Sequence, residues 1–462
     1  MNARTLAVAA LAALSVSAFA PVNAQRPPWI TAGPMIGHVT HDKAIVWLQV
    51  APGVPFVAEG TVNGNPTPAP WVLDLGDGCH RVGFERLPEA ATLRVRLRHR
   101  DVSDSAATVD VRLAPPPSQS GKVVIAFGSC AKLSQFGRGP AFVAMAKAKP
   151  DVALFVGDNS YFVVGDGGPR TWATTGPDGD WSSAERMLAR HLVTRRNEDV
   201  RELLRTTPSY AVWDDHDYGP NNADRAFANK DAALRTFQKM WANPGFGTDA
   251  VPGVFSSFRR GPVEVFLMDD RYHKWVATAD HPDVTAEQAT IWGEGQFRWL
   301  CERLKASDAP VKVIANGTQF CFQGKSGEGH WQEARREHER LMAFLVEEQI
   351  GGVVFLTGDR HHTELMRVER ADGGRVYDFT SSPLQQMREI GPLTTSPNPS
   401  RVWGMSGNSF GLVTIDVGAD GEGSITFEAR DESGVVPVVE GEERKTVVPL
   451  AELRGQGLGA GK

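Results

Sequence analysis

The sequence predicts an α/β protein with a small all-β unit ahead of it, and three observations carry that prediction. Residues 27–113 hold short β-type runs and turn residues without a helical pattern. The stretch Ala-Pro-Pro-Pro-Ser-Gln-Ser-Gly at 114–121 interrupts the chain, and from Lys122 onward apolar, β-branched runs alternate with helical stretches. At 462 residues there is length for roughly two or three domains and a sizeable core.

The first residues read as an export signal. Arg4 supplies positive charge, residues 5–20 are almost all apolar or small, and Val22-Asn23-Ala24 offers a small-residue cleavage site before Gln25. Residues 1–24 are therefore expected to be a signal peptide, and the protein to be secreted to the periplasm or beyond the cell. The apolar run is short of the ~20 residues a bilayer span needs. A single arginine, in place of a twin pair, points to the general secretory route.

Between 27 and 113, runs such as Ala44–Val50, Phe56–Val62 and 93–98 are separated by Gly, Pro and Asn turns. The last alternates Leu93, Val95 and Leu97 with three arginines, which is a strand with one wet face. An antiparallel β-sandwich over 27–113 is the economical reading, and the prolines of 114–121 mark a linker because they cannot continue a sheet.

The second unit, over 122–450, has buried-strand runs at 123–127, 152–156, 263–268, 311–315 and 353–357, with helical stretches at 184–205, 223–242, 293–305 and 333–349. This alternation indicates sheets covered on their faces. Runs at 375–380, 410–416 and 424–429 lack intervening helices and read as added antiparallel strands. Residues 451–462 read as a tail, and Arg195 and Arg196 as a wet helix face. Four cysteines are too few for a disulfide scaffold at this length; Cys301 and Cys321 are either bridged or core, and Cys79 has no evident partner. The formal net charge of −6 argues against an extended nucleic-acid or anionic-membrane surface.

Ligands in open α/β sheets gather at the carboxyl ends of strands, where Cys130, Asp158, Asp215 and Asp359 all fall. In Gly157-Asp158-Asn159-Ser160-Tyr161 the glycine lets the chain turn sharply, so that Asp158 and Tyr161 can reach one centre; the plainer reading is a helix-capping aspartate beside a core tyrosine. Trp213-Asp214-Asp215-His216-Asp217 crowds carboxylates that raise one another's pKa unless a cation compensates them. His216 there can coordinate, hydrogen-bond a phosphoryl oxygen or protonate a leaving group. Asn221 and Asn222 offer the neutral oxygens calcium accepts. Which of Asp214 and Asp215, and of Asn221 and Asn222, would be ligands stays open. Asp359 and His361 stand two apart and point the same way on an extended backbone. Arg271 can clamp a phosphate or pair with Asp269 at the surface. Ser129 or Cys130 is a candidate nucleophile, but no Gly-x-Ser-x-Gly elbow is present, and ligation by the Cys130 thiolate is the favoured reading.

Taken in order, Gly128-Ser129-Cys130, Gly157–Tyr161, Trp213–Asp217, Asp269-Asp270-Arg271 and Gly358-Asp359-Arg360-His361 resemble the motif set of the PhoD-like alkaline phosphatases. The resemblance implies an N-terminal all-β, Ig/fibronectin-like sandwich followed by a metallophosphoesterase-type α/β/β/α four-layer sandwich. It also implies iron(III) and calcium, with Cys130, Asp158, Tyr161 and Asp359 on the iron side. Asp158, Asp215, Asn221 and His361 are the calcium-side candidates, Asp158 bridging, with His216 near the leaving group and Arg271 on the phosphate. The expected activity is that of a secreted phosphoric ester hydrolase, a phosphodiesterase or alkaline phosphatase using in-line attack of a metal-bound hydroxide. It would act as a monomer on small or polymeric phosphate esters. A phospholipase D-like or polymer-directed phosphodiesterase of the same fold is the alternative, and a metal-stabilised binding protein a third.

Overall fold

The computed structural model describes residues 26–102, 105–133, 137–162, 179–324, 328–386 and 397–455. The expected signal peptide lies outside them. Strands Ile30–Val39, Ala44–Val50, Cys79–Phe84 and Trp71–Asp74, in that spatial order, form one antiparallel sheet; Asn65–Pro66, Phe56–Val62, Thr92–His99 and Ala106–Arg112 form another. In Thr92–His99 the residues Leu93, Val95 and Leu97 are buried between exposed Thr92, Arg94 and Arg96, as the alternation requires. They meet Val46, Leu48, Val82 and Phe84 of the other sheet in one apolar core. Each fully buried side chain of this size contributes ~1.5–3 kcal/mol.

This unit is tied to the second one along its first sheet. Trp47 Nε1 donates to the Lys239 carbonyl at 2.8 Å, and a Cβ on Gly37 would fall 2.3 Å from that of Ala242. The proline-rich stretch is held too: Ala114 N donates to Thr40 O, and Arg259 Nη2 donates to Ser118 O.

Two larger sheets complete the fold. The six-stranded sheet runs Ser209–Val212, Val152–Val156, Gly121–Gly128, Ser409–Val417, Gly423–Asp431, Lys445–Pro449; its first three strands are parallel. The seven-stranded sheet runs Ser256–Arg260, Val263–Leu267, Val311–Ala315, Val353–Thr357, Arg375–Thr380, Thr363–Glu369, Arg401–Met405, with four central parallel strands. Alternate residues of each strand serve different cores. Leu154, Val156, Tyr210 and Phe127 meet Val265, Leu267, Val313 and Leu356 between the sheets. Ala153, Phe155 and Ala211 pack outward against helices Pro140–Lys147, Ala184–Arg196, Glu198–Thr206 and Lys230–Met240. Phe266, Ile314 and Phe355 pack outward against Gly293–Ala306 and Arg335–Glu347.

Several local expectations change. The helix over 184–205 breaks at Asn197, which leaves helical geometry and accepts from Asp199 N to cap the next helix. The helix over 223–242 starts only at Lys230. Arg195 is not on a wet face: it is 3% exposed, stacks over the Trp241 ring at 3.7 Å and donates to Met240 O. The chain is still packed past 450, since Leu453 is fully buried in the inter-sheet core. All four cysteines, Cys301 and Cys321 included, are free thiols. No helix of the described residues is long and apolar enough to cross a membrane.

Candidate metal centre

The centre sits where the carboxyl ends of parallel strands from both sheets meet, and the backbone there is bent in an unusual way. Cys130, Asp158, Asp359 and His361 all have left-handed φ, at 59°, 52°, 68° and 55°. Each such residue costs about 1–2 kcal/mol when it is not glycine. Clustered at strand ends, the strain marks a functional constraint. Asp359 and His361 are thus not on an extended backbone, as their spacing of two had implied. Two glycines let the turns approach. A Cβ on Gly157, itself at φ 93°, would lie 2.6 Å from Asp214 Cβ; one on Gly358 would lie 2.4 Å from Val156 O. Gly157→Ala is expected to lower the thermal midpoint by several degrees and activity with it, measured by melting and by ester hydrolysis, because both the clash and the φ penalty fall on the loop that carries Asp158.

The side chains brought together form two overlapping sets. Potential ligand atoms of Cys130, Asp158 and His361 lie within 4.8 Å of one another, as do those of Asp158, Asp215 and His216; Asp158 is common to both. Tyr161 OH donates to Asp158 Oδ2 at 2.8 Å, and Cys130 Sγ is 3.4 Å from the same oxygen. His216 N donates to Asp158 Oδ1 at 3.3 Å, and its imidazole stacks on Tyr161 with centroids 4.4 Å apart. The Asp359 carboxylate lies outside both sets, although its backbone oxygen accepts from Cys130 Sγ at 3.1 Å. His361 thus groups with Cys130, on the side where Asp359 was expected.

Of the adjacent pair, Asp215 faces the cluster and Asp214 turns away to an ion pair with Arg271. The backbone N of Asn222 donates to Asp215 Oδ2 at 2.7 Å, and Asn221 and Asn222 are both exposed. Arg271 is 1% exposed, so the surface pairing is excluded, and its Nη1 has no hydrogen-bond partner. The pairing with Asp269 is instead through the backbone: Arg271 N donates to Asp269 Oδ1.

Three residues escaped the sequence reading. Asp217 is fully buried and its two oxygens accept from Asn159 N, Asn159 Nδ2 and Ser160 N at 2.7–3.1 Å, fixing the loop after Asp158. Gln386 Nε2 lies 3.0 Å from Tyr161 OH and 2.6 Å from His361 Nε2. Glu328 approaches Arg271 at 3.9 Å. Asp217 belonged to a quoted motif; the other two carry no local signal.

The electrostatics test whether these residues suit a cation. Burial, then Asp158 and Asp359, push the Cys130 thiol well up; burial, Asp158 and Cys130 do the same to the Tyr161 phenol. Asp158 is raised by burial and by Asp215, against His216. Asp359 is raised by burial and Glu328, and its Oδ2 is sealed from water without a hydrogen-bond partner. Burial also pushes on Asp215, but His216, Arg271 and the Asn222 amide hold it below the ordinary carboxylate range. Left alone, Cys130, Tyr161, Asp158 and Asp359 favour their protonated forms while Asp215 is ionised; a multivalent cation would displace those protons, and thiolate, phenolate, carboxylate and imidazole are all metal ligands. The residues therefore fit hard-to-borderline metal ions at two adjacent positions.

Comparisons with known proteins point to one family. The family described as PhoD-like phosphatase matches residues 125–420. Alkaline phosphatase D of Bacillus subtilis (strain 168) is 24% identical over 394 residues, which is 72% of this chain and 64% of that protein, so the chain spans slightly less than two thirds of that relative's length. In fold, the chain is similar to the structure of PhoD, with a TM-score of 0.71 at 17% identity over 95% of each chain. It is also similar to the purple acid phosphatase PPD1 from yellow lupin (Lupinus luteus) seeds, at a TM-score of 0.57 and 12% identity over 91% of this chain and 74% of that one. Because the family match takes in well over half of the residues and contains every strand end of the centre, the chain belongs to the PhoD-like phosphatase family.

Proposed function

We propose that this protein is a metal-dependent phosphoric ester hydrolase acting on phosphodiesters and monoesters, with iron(III) and calcium at the centre. The observation that carries this reading is the sharing of Asp158 between two ligand sets, one with a thiol and one with a second carboxylate. Cys130, Asp158 and Tyr161 would hold the iron, joined by Asp359 or His361; Asp158, Asp215 and Asn221 would hold the calcium. When bound, the cations would acidify a water to a pKa near 7 and offset charge on the phosphoryl oxygens. The layered arrangement of the two large sheets supports a metallophosphoesterase-type α/β/β/α core over about 122–450. The two small sheets support an Ig/fibronectin-like sandwich over 27–113. The N-terminal pattern supports export through a leader at 1–24.

The chain's own residues would do the rest. Arg271 is aimed by Asp214 and keeps Nη1 free for a phosphoryl oxygen, so the anion is bound in a fixed orientation. His216, mostly buried between the Tyr161 ring and Asp215, can pass a proton from its imidazole to the departing alkoxide. Asp217 keeps the Asp158 loop from relaxing once a ligand pulls on it.

The test is metal analysis with a visible absorption spectrum, followed by chelation. The purified protein is expected to be coloured by Tyr161 phenolate on ferric iron, to lose ester hydrolysis on chelation and to recover it with calcium. Bound metal without hydrolysis would leave only a metal-stabilised binding protein; colourless protein holding zinc or manganese would remove the iron assignment.

A further inference from the structure

Glu328 has no part in the roles above, yet its carboxylate is a close neighbour of both Arg271 and Asp359. Its side chain is 29% exposed and its Oε2 lies 3.9 Å from Arg271 Nη2, while Arg271 itself is 1% exposed. Apart from burial, Glu328 is the strongest influence on the Asp359 carboxyl, and it is one of the charges acting on Lys274. The topology explains this reach. Arg271 lies beyond strand Val263–Leu267 and Asp359 beyond Val353–Thr357, and Glu328 belongs to the connection that leaves Val311–Ala315, the strand between those two. Glu328 therefore comes to the same end of the sheet as Arg271 and Asp359, with its carboxylate partly open to solvent while Arg271 is buried.

Asp214 occupies part of the guanidinium from below, so the remaining donors of Arg271 are shared between an incoming phosphate and Glu328. We propose that Glu328 is a specificity-determining residue that disfavours doubly charged phosphomonoesters and so tilts the centre toward singly charged phosphodiesters. This rests on the reading of Arg271 as the phosphate-binding arginine. The physical basis is that repulsion scales with the charge of the substrate: above a pH of about 6 a monoester carries roughly two negative charges and a diester one. The logarithm of the penalty on the monoester should then be about twice that on the diester.

The experiment compares kcat/KM of the metal-loaded wild type and Glu328→Gln on p-nitrophenyl phosphate and bis(p-nitrophenyl) phosphate at pH 8 and low salt. Calorimetric binding of inorganic phosphate and of dimethyl phosphate provides a readout independent of turnover. Glu328→Gln is expected to raise diester hydrolysis about threefold and monoester hydrolysis on the order of tenfold, with inorganic phosphate binding tightened more than dimethyl phosphate binding. Glu328→Asp should keep the wild-type ratio, and added salt should shrink the difference between the two proteins. An equal factor on both esters, or a fall in both, overturns the inference while diester hydrolysis by the wild type keeps the phosphoesterase reading. Hydrolysis of neither ester by the wild type overturns both.

Discussion

Asp158→Ala is expected to abolish turnover and metal content together. Asp158 is the one carboxylate common to both ligand sets, and its Oδ2 is also the point on which Tyr161 OH and Cys130 Sγ converge. Removing residues that merely orient metal ligands commonly costs 10–100-fold, so loss of a shared ligand should cost on the order of a thousandfold or more in kcat/KM. Asp158→Asn is the informative companion. Asparagine tolerates the left-handed backbone that Asp158 adopts at φ 52°, so it keeps the loop while deleting the charge. Circular dichroism of the Asn variant should match the wild type, and mass-spectrometric metal analysis should fall in parallel with activity. Retention of metal and turnover in the Asn variant would take Asp158 out of the site.

The placing of Asp158 was legible because the chain repeats one local pattern, an apolar run ending on glycine or tryptophan and then on ligand-type residues. Val152–Val156 and Val353–Thr357 are five-residue strands buried throughout, and buried parallel strands can only deliver polar side chains at their ends. The turns beyond the strand ends are harder to read. Asp215–Tyr218 is a single helical turn, so side chains advance by about 100° per residue. Asp214, Asp215 and Asp217 accordingly serve Arg271, the candidate ligand cluster and the Asn159–Ser160 amides respectively, a division that three acids in one short motif do not announce. The left-handed backbone at Asp359 and His361 likewise defeats the alternation rule used to pair them.

Gln386 shows the other limit. It reaches Tyr161 across 225 positions of sequence, and its neighbours spell no motif. Its contact depends on how Arg375–Thr380 pairs beside Val353–Thr357, which is a property of sheet order and not of local pattern. Arg195 is a similar case: its position in Ala184–Arg196 looks solvent-facing until the strand Ala44–Val50 brings Trp47 against the same wall as Trp241.

Arg271→Ala is expected to lower stability as well as activity, and the two effects can be separated. Arg271 supplies the hydrogen bond to Asp214 Oδ1, while Asp214 Oδ2 has no partner and the residue is fully buried. Breaking one side of a buried pair typically costs ~3–5 kcal/mol, because the remaining charge is uncompensated. Burial, Asp270 and Asp215 hold the Asp214 carboxyl well above the ordinary carboxylate range even though Arg271 pulls it down. Without the arginine only the upward influences remain, and the carboxyl rises further. A carboxyl whose folded pKa is raised contributes most below its unfolded pKa and loses that contribution as pH climbs through the folded one. The variant should therefore lie closest to the wild type at low pH, where the carboxyl keeps its proton in both, and fall behind as pH climbs through the raised wild-type pKa of Asp214, as read from thermal midpoints from about pH 4 upward. Activity should drop on the order of a hundredfold or more through the lost phosphate contact. Asp214→Leu combined with Arg271→Met removes both charges at similar volume, and such replacements are often neutral for stability. The double variant is expected to recover the midpoint without recovering kcat/KM. Recovery of both would reduce Arg271 to a structural partner of Asp214 and remove it from phosphate binding.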